Sequence, residues 1–354
     1  MQGNSIRSIP TPMTERRAPS VHLVGFDNGV GLSRNLRELA SALQACGYRV
    51  DFTNTRRRGG IPGLVQRARG HWHLRDLSRR RHRGLPPPYD LVLMEEHIAP
   101  AYLEDARFRV ILPHPEWFLP RDLEALGRVD LVLAKTREAA RIFMSQDCRT
   151  AWIGFASDDR LEPAVARERA FFHLAGSSRT KGTERLLALW RRHPEWPRLT
   201  VVQHPREADR GAPSANIEHR VEYLDEAELK RLQNAHRFHL CPSETEGYGH
   251  YLVEAMSVRA VVITVDAPPM NEMISPERGI AVPWSRTGTQ HLATTYHFDD
   301  AAMERAIDAA IEMDDVRCEA LGTAARAWFE AERAAFPGRL DGALRELLAT
   351  EAAS

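Results

Sequence analysis

The sequence predicts an α/β protein of two domains, and three observations lead there. Short apolar runs of buried-strand type recur along the chain, among them Val21–Gly25, Asp90–Met94, Asp130–Ala134, Leu199–Gln203 and Ala260–Val265. Several of these runs give way to a glycine- or proline-bearing loop and then to a helical spacing of apolar residues, the order of a β-loop-α unit. Finally, the 354 residues are too many for one ordinary core and suit two.

Composition excludes several classes. The chain is 43% hydrophobic and 27% charged, with 48 basic and 48 acidic residues, so net charge favours no particular partner. Nucleic acid is not an expected partner, because no recognised binding motif accompanies the local basic stretches. Cys46, Cys148, Cys241 and Cys318 are scattered without a CxxC spacing, which indicates neither a zinc site nor a disulfide framework. No apolar run is long enough to span a bilayer and the N-terminus lacks a hydrophobic signal core. A reducing cytoplasm is the expected compartment. Lysine is scarce, with Lys135, Lys181 and Lys230 alone among the basic residues.

Residues 1–19 carry Pro, Ser, Thr and Arg without periodicity and are expected to form a disordered leader. The strand Val21–Gly25 runs into Asp27-Asn-Gly-Val-Gly31 and a helix through Leu32, Leu36, Leu39 and Leu43, which Gly47 ends before the strand Tyr48–Phe52. Arg56–Arg83 is arginine-rich and interleaved with Leu64, Val65, Trp72 and Leu74. It reads as a solvated insertion, as a dock for an anionic acceptor, or as a segment drawn to an acidic membrane surface at the inner face. Asp90–Met94 leads to Glu95-Glu-His97, and Phe108–Leu112 to Pro113-His-Pro-Glu-Trp117. Both place polar residues just past the carboxyl end of a strand, where open α/β sheets bind ligands. His97, Glu96, Glu116 and Trp117 are therefore candidate ligand contacts. Asp130–Ala134 with Lys135-Thr136 and an amphipathic helix makes a further unit, and Thr150–Gly154 approaches a linker placed near residues 156–168.

Phe171–Ala175 opens the second half and is followed by Gly176-Ser-Ser-Arg-Thr-Lys-Gly182 and a helix. A glycine-bounded loop carrying Arg179 and Lys181 offers N–H donors and two cations to a diphosphate. After the strand ending at Leu240 comes Cys241-Pro-Ser-Glu-Thr-Glu-Gly-Tyr-Gly-His-Tyr-Leu-Val-Glu-Ala-Met256. Gly247 and Gly249 let backbone approach a ligand, and the N-terminus of the helix that follows suits a phosphate. Glu246 in the loop and Glu254 in the helix flank that anion site. Phosphates would repel them, so they are expected to accept hydrogen bonds from hydroxyls on either side, which describes a nucleotide sugar. Gly279–Val282 reads as the last strand, and helices from about residue 300 to 353 finish the chain.

With Pro242-Ser243 before them and Glu254-Ala-Met256 closing the run, Glu246 and Glu254 resemble the Glu-x7-Glu signature of the retaining glycosyltransferases of family 4. That resemblance implies the GT-B fold: two Rossmann-like parallel-sheet domains facing a central cleft, with a C-terminal helix crossing back to the first. The domains are then residues 20–160 for the acceptor, 169–335 for the nucleotide-sugar donor, and 336–354 for the returning helix. It implies a donor site of Gly29 and Gly31 in the first loop, Lys181, Tyr223 near the base, and Gly247, Tyr248, Gly249, His250 and Glu254 of the signature. The catalytic set is His114, Glu246 and Lys181, with His114 contacting the donor sugar. In relatives an arginine follows the first glycine of the basic loop; here that position is Ser177, and Arg179 is the candidate substitute. Asn271 and Glu272 stand where relatives carry a glycine-rich loop ending in Glu, stiffened here by Pro268-Pro269.

The activity so implied is transfer of a sugar from a nucleoside-diphosphate sugar to a hydroxyl-bearing acceptor, either a small molecule or a glycan or lipid precursor. No Asp-x-Asp stands out, so no metal is required and no cofactor is expected. An epimerase or phosphorylase of the same fold, or a nucleotide-sugar-binding protein without turnover, are the competing readings.

Overall fold

The expected strands pair in parallel into two six-stranded sheets in the computed structural model, which describes residues 17–26, 31–55, 72–73, 75–208 and 211–350. The first sheet has the order β2-β1-β3-β4-β5-β6. Its strands are β1 (Ser20–Gly25), β2 (Arg49–Asn54), β3 (Tyr89–Glu96), β4 (Ala106–Pro113), β5 (Leu131–Ala134) and β6 (Thr150–Trp152). Val21 of β1 pairs with Val50 on one side and Leu91 on the other, so the winding reverses between β1 and β3. The second sheet has the order β12-β11-β10-β7-β8-β9. It uses β7 (Glu168–Gly176), β8 (Leu199–Gln203), β9 (Ile217–Val221), β10 (His236–Cys241), β11 (Val261–Val265) and β12 (Ile280–Val282). Here the reversal falls between β7 and β10. In doubly wound sheets the crevice at such a reversal, past the carboxyl ends of the strands, is where ligands bind. The basic loop leaves β7 and the Glu-x7-Glu loop leaves β10, so both open into that crevice.

Strand interiors such as Leu91–Met94 and Val261–Val265 are fully buried, as strands covered by helices on both faces must be. The covering helices are α1 (Gly31–Ala45), α2 (Pro120–Ala125), α3 (Arg137–Met144), α4 (Thr183–Arg192), α5 (Glu226–Ala235), α6 (His250–Ser257), α7 (Met270–Met273), α8 (Asp300–Glu312) and α9 (Asp315–Ala349). α9 is one helix of 35 residues with Pro337 inside it, so the expected division between 335 and 336 falls within a continuous rod. Its later turns bury Phe336, Leu340, Leu344 and Leu347 in the same apolar cluster as Leu36, Leu39 and Leu43 of α1. Each such buried side chain contributes roughly 1.5–3 kcal/mol. A pair from Arg149 to Glu346, at 2.8 Å, fastens the helix end to the first half.

The expected linker is pinned rather than loose. Phe155 packs its ring 4.8 Å from Phe336 and 5.5 Å from Tyr248 (centroids), and Arg160 Nε donates to Gln233 at 2.8 Å.

Gly279–Val282 is not the last strand. An antiparallel hairpin follows, β13 (Trp284–Gln290) and β14 (Ala293–Phe298). It has no continuous apolar run to announce it; Ser, Arg, Thr, Gln and His are interspersed through it and His291 turns it with φ 51°. The tip crosses to the first half, where Leu292 N donates to Pro115 O and Gln290 Nε2 to Glu116 O, each at 3.1 Å. Further along β14, Tyr296 N donates to Glu244 O at 2.7 Å, so one hairpin touches both halves of the molecule.

Candidate active site

One wall of the cleft is built from two loops of the second domain locked together. Gly182, at φ +66°, starts α4 so close to the second loop that a Cβ there would lie 2.5 Å from Pro242 O. Only glycine fits that contact, and Glu244 N donates across it to Thr180 O at 2.8 Å. This lock brings Lys181 Nζ into an ion pair with Glu246 Oε1. The ammonium also sits 3.6 Å from the Tyr251 ring centroid, a cation–π contact. Tyr251 OH is 2.5 Å from Ser243 Oγ, and that hydroxyl donates to Glu246 Oε1, also at 2.5 Å. Gly249, at φ +87°, is the N-cap of α6, whose first amides and positive dipole end face the same place.

The facing wall is made of side chains just past the carboxyl ends of β3, β4 and β5, together with α1. His114 follows β4, and two nitrogens lie within hydrogen-bond reach of its Nε2: Lys135 Nζ at 2.6 Å and Asn35 Nδ2 at 3.3 Å. Glu95 Oε1 accepts from Asn35 at 2.7 Å and lies 3.5 Å from the same imidazole nitrogen. Glu116 Oε1 lies 3.8 Å from His114 Nδ1. Lys135 is only 2% exposed, and burial lowers its ammonium to about 8 against the charges of Glu95, Glu116 and Glu96. On His114 burial and Lys135 act downward, but hydrogen bonds to Glu116 and Glu95 outweigh them and raise it to about 9. At 2.6 Å only one proton fits between the two nitrogens, so lysine and imidazole hold their protons as a pair. Burial raises Glu96, whose backbone at φ 68° is left-handed, a strained state for a residue with a Cβ.

The walls touch. A Cβ on Gly247 would lie 2.7 Å from Glu116 Oε1 and 2.8 Å from His114 Nδ1, so glycine alone lets the signature loop rest on the first domain. His250 Nε2 donates to Asn35 Oδ1 at 2.7 Å, and Ser157 Oγ donates to its Nδ1 at 2.7 Å. Burial holds this imidazole well below its ordinary value, the neutral form that such bonding requires. Glu254 is 1% exposed; one oxygen is paired with Arg34 of α1 and the other accepts from Gln233 at 2.9 Å.

The sequence-derived residues thus separate. Lys181, Glu246, Gly247, Gly249, His250, Glu254, His114 and Glu116 converge. Gly31 begins α1 beside them, whereas Gly29 lies outside the described residues. Tyr248 points away: its hydroxyl donates to Phe155 O at 2.8 Å and its ring packs under the linker, because the αL turn at Gly249 separates it from the site-facing residues. Arg179 does not replace the arginine absent at Ser177; its side chain is 83% exposed and paired with Glu207 on the surface. Tyr223 is 75% exposed just past β9, the edge strand three places from β10. Glu272 accepts from the Arg137 and Glu138 amides at 2.6 and 2.7 Å, capping α3 of the other domain. Trp117 is 47% exposed beside His291 at the hairpin tip. His97 Nδ1 pairs with Asp122 at 2.8 Å on the rim of a cavity of about 760 Å³ that Glu95 and Glu96 also line. Of Arg56–Arg83, the described residues Arg79, Arg80 and Arg83 line a shallow surface hollow.

Sequence reasoning missed Asn35, Arg34, Glu95, Tyr251 and above all Lys135. Lys135 stands one residue past a buried strand, the same signal that singled out Glu96 and His97. Among the described residues no group of three or more His, Cys, Asp or Glu side chains is assembled to hold a metal ion, and no helix is long and apolar enough to cross a membrane.

Residues 156–328 match the family described as glycosyl transferases group 1. Among solved structures, a sucrose-phosphate synthase from Thermosynechococcus elongatus is similar at 16% identity and TM-score 0.65, with 94% of this chain and 99% of that one covered. Anabaena Alr3699/HepE, solved with UDP and glucose, is similar at 14% identity and TM-score 0.66, covering 93% and 100%. The pneumococcal O-GlcNAc transferase GtfA, solved with UDP and GlcNAc, is similar at 15% and TM-score 0.57; it covers 77% of this chain, which spans only 59% of that protein's length. No curated protein matches the sequence. The chain thus has the GT-B fold of these neighbours, two doubly wound domains, and over residues 156–328 it is similar to the glycosyl transferases of group 1.

Proposed function

We propose that the chain is a retaining glycosyltransferase of family 4 type, moving a sugar from a nucleoside-diphosphate sugar to a hydroxyl of its acceptor without a metal. The observation that carries this reading is the Lys181–Glu246 pair at the start of α6, set against His114 and Glu116 across the bare backbone of Gly247. Lys181 and the first amides of α6 would take the charge that develops on the departing diphosphate, the electrostatic kind of catalysis. Glu246 would accept hydrogen bonds from the sugar hydroxyls, with His114 on the sugar's other side. Glu254 would accept from the ribose hydroxyls in exchange for Arg34. Contact of the walls around the donor excludes water, which favours transfer over hydrolysis.

UDP is the first nucleotide to test, since HepE and the pneumococcal transferase were both solved with it. The acceptor would enter by the cavity lined by Glu95, Glu96 and His97. Its carboxylates favour an acceptor rich in hydroxyls over an anionic one. The work of such an enzyme would lie in the cytoplasm, where nucleotide sugars are made.

The test is a thermal-shift panel of UDP, GDP, TDP, ADP and their common sugars on wild type and Glu254→Ala. A ligand at a hundred times its Kd adds about 2.7 kcal/mol to the folded state, a shift of several degrees. Selective stabilisation by one nucleotide, lost in the variant, is the expected result. A folded sample that no nucleotide stabilises at millimolar concentration overturns the reading.

A further inference from the structure

Arg34 is the fourth residue of α1, yet its guanidinium is turned onto the second domain: Nη1 is paired with Glu254 Oε1, and Nε lies 3.2 Å from Asp158 Oδ2 of the linker. That Nε is buried and makes no hydrogen bond, so the fork is only partly satisfied where it rests. The pair is not needed to join the domains. Gly247 already rests on His114 and Glu116, His250 is bonded to Asn35, and the hairpin tip reaches Pro115. What Arg34 occupies is the second carboxylate of the signature, the one that the proposed function gives to the ribose hydroxyls.

His250 and Glu254 are four residues apart on α6, so they lie on one face about 6 Å apart along its axis. Asn35 meets the first and Arg34 the second, which sets the start of α1 against that face. One turn back from Glu254 is the start of α6, where the diphosphate would sit. Arg34 and Lys181 are both among the charges that hold His250 low, so the two cations act on the same helix start. The basic loop brings only Lys181 to this place, because Arg179 is turned away to Glu207. A diphosphate carries more charge than one ammonium balances, and an arginine fork matches its oxygens two at a time.

We propose that Arg34 is a diphosphate-binding residue supplied by the first domain: ribose hydroxyls displace it from Glu254, and its guanidinium moves one helical turn to the phosphate oxygens beside Lys181. The inference rests on the donor site proposed above and adds to it a residue from the opposite wall.

No charge is stranded by the exchange. Glu254 gains hydroxyl donors and keeps Gln233, which Arg160 holds from behind, while the guanidinium trades a carboxylate for phosphate. A nucleoside without phosphates takes Glu254 from Arg34 and offers it nothing in return. A nucleoside diphosphate offers the new partner. Loss of Arg34 therefore acts on the two ligands in opposite directions, freeing the ribose carboxylate for both and removing the phosphate contact from one.

The experiment is calorimetric titration of uridine and of UDP, or of the nucleotide the panel selects and its nucleoside, into wild type, Arg34→Ala and Arg34→Lys. In Arg34→Ala the nucleoside is expected to bind at least threefold more tightly and the diphosphate at least tenfold more weakly. Diphosphate binding that is unchanged or tighter overturns the phosphate contact, and nucleoside binding that does not tighten overturns the exchange; either result defeats the proposal. If Arg34→Ala does not fold, Arg34→Lys decides, since it keeps the charge without the fork. Its ratio of diphosphate to nucleoside affinity is expected to fall at least threefold from wild type, and an unchanged ratio overturns the proposal. A wild type that binds no nucleotide of the panel defeats the proposed function itself, whereas a wild type that binds UDP with the ratio unmoved in the variants defeats this inference alone.

Discussion

On the wall of the second domain each carboxylate of the signature has its own cation from another element: Lys181 for Glu246, Arg34 for Glu254. On the wall of the first domain three carboxylates, Glu95, Glu96 and Glu116, crowd around one lysine and one imidazole. The first arrangement consists of separable pairs that a ligand's hydroxyls and phosphates can exchange one at a time. The second is a network in which no member changes its proton without its neighbours. A substrate with a fixed diphosphate suits the former, and a reacting sugar whose position must be held suits the latter. On the proposed function the two domains divide the labour of binding and orientation, and each prediction below breaks one side at a time.

The largest effect is expected from Glu246→Ala, which removes the partner of Lys181 and the acceptor of the Ser243 hydroxyl together. Loss of such a group from a pre-organised site lowers kcat/KM by about 10²-fold or more, measured with the donor selected by the nucleotide panel. A variant retaining a third of wild-type activity would show that the donor wall is not organised around this pair.

Acid distinguishes the halves next. His173 and His239 are buried in the second sheet, and burial lowers them to about 4 and about 3. Below about pH 6.5 the unfolded chain binds two protons that the folded chain refuses, so the stability these residues contribute is complete above 6.5 and declines as pH falls. Each costs about 2 kcal/mol by pH 5. Amide exchange should therefore rise in β7 and β10 before β3 and β4 as the pH drops from 7 to 5; simultaneous loss in both sheets would contradict the division. The smallest effect belongs to Arg179→Ala, expected to change donor kcat/KM by less than about twofold because the side chain is exposed and spent on a surface pair. A tenfold loss would return Arg179 to the diphosphate.

Much of this was legible in the sequence, for a physical reason. Buried parallel strands are continuous apolar runs, and the Glu-x7-Glu loop is contiguous, so its chemistry, spacing and helix start lie together in residues 241–256. The facing wall draws Asn35, Glu95, His114 and Lys135 from four separate segments, and only the strand order makes them neighbours. That is why His114 was found by resemblance while the lysine beside it was not. The hairpin at 284–298 escaped because it buries little and pairs with itself. Tyr248 and Glu272 misled because side-chain direction and domain contact, which no spacing records, send one to the linker and the other to the N-terminus of α3.

The measurement that bears most directly on the account is calorimetric titration of UDP, or of whichever nucleotide the panel selects, into wild type and Lys181→Ala. One site per chain, weakened at least tenfold in the variant while its melting temperature stays within a few degrees of wild type, is the predicted result. Equal affinity in the two proteins would contradict a diphosphate seated at Lys181 and the start of α6, and with it the assignment of this cleft.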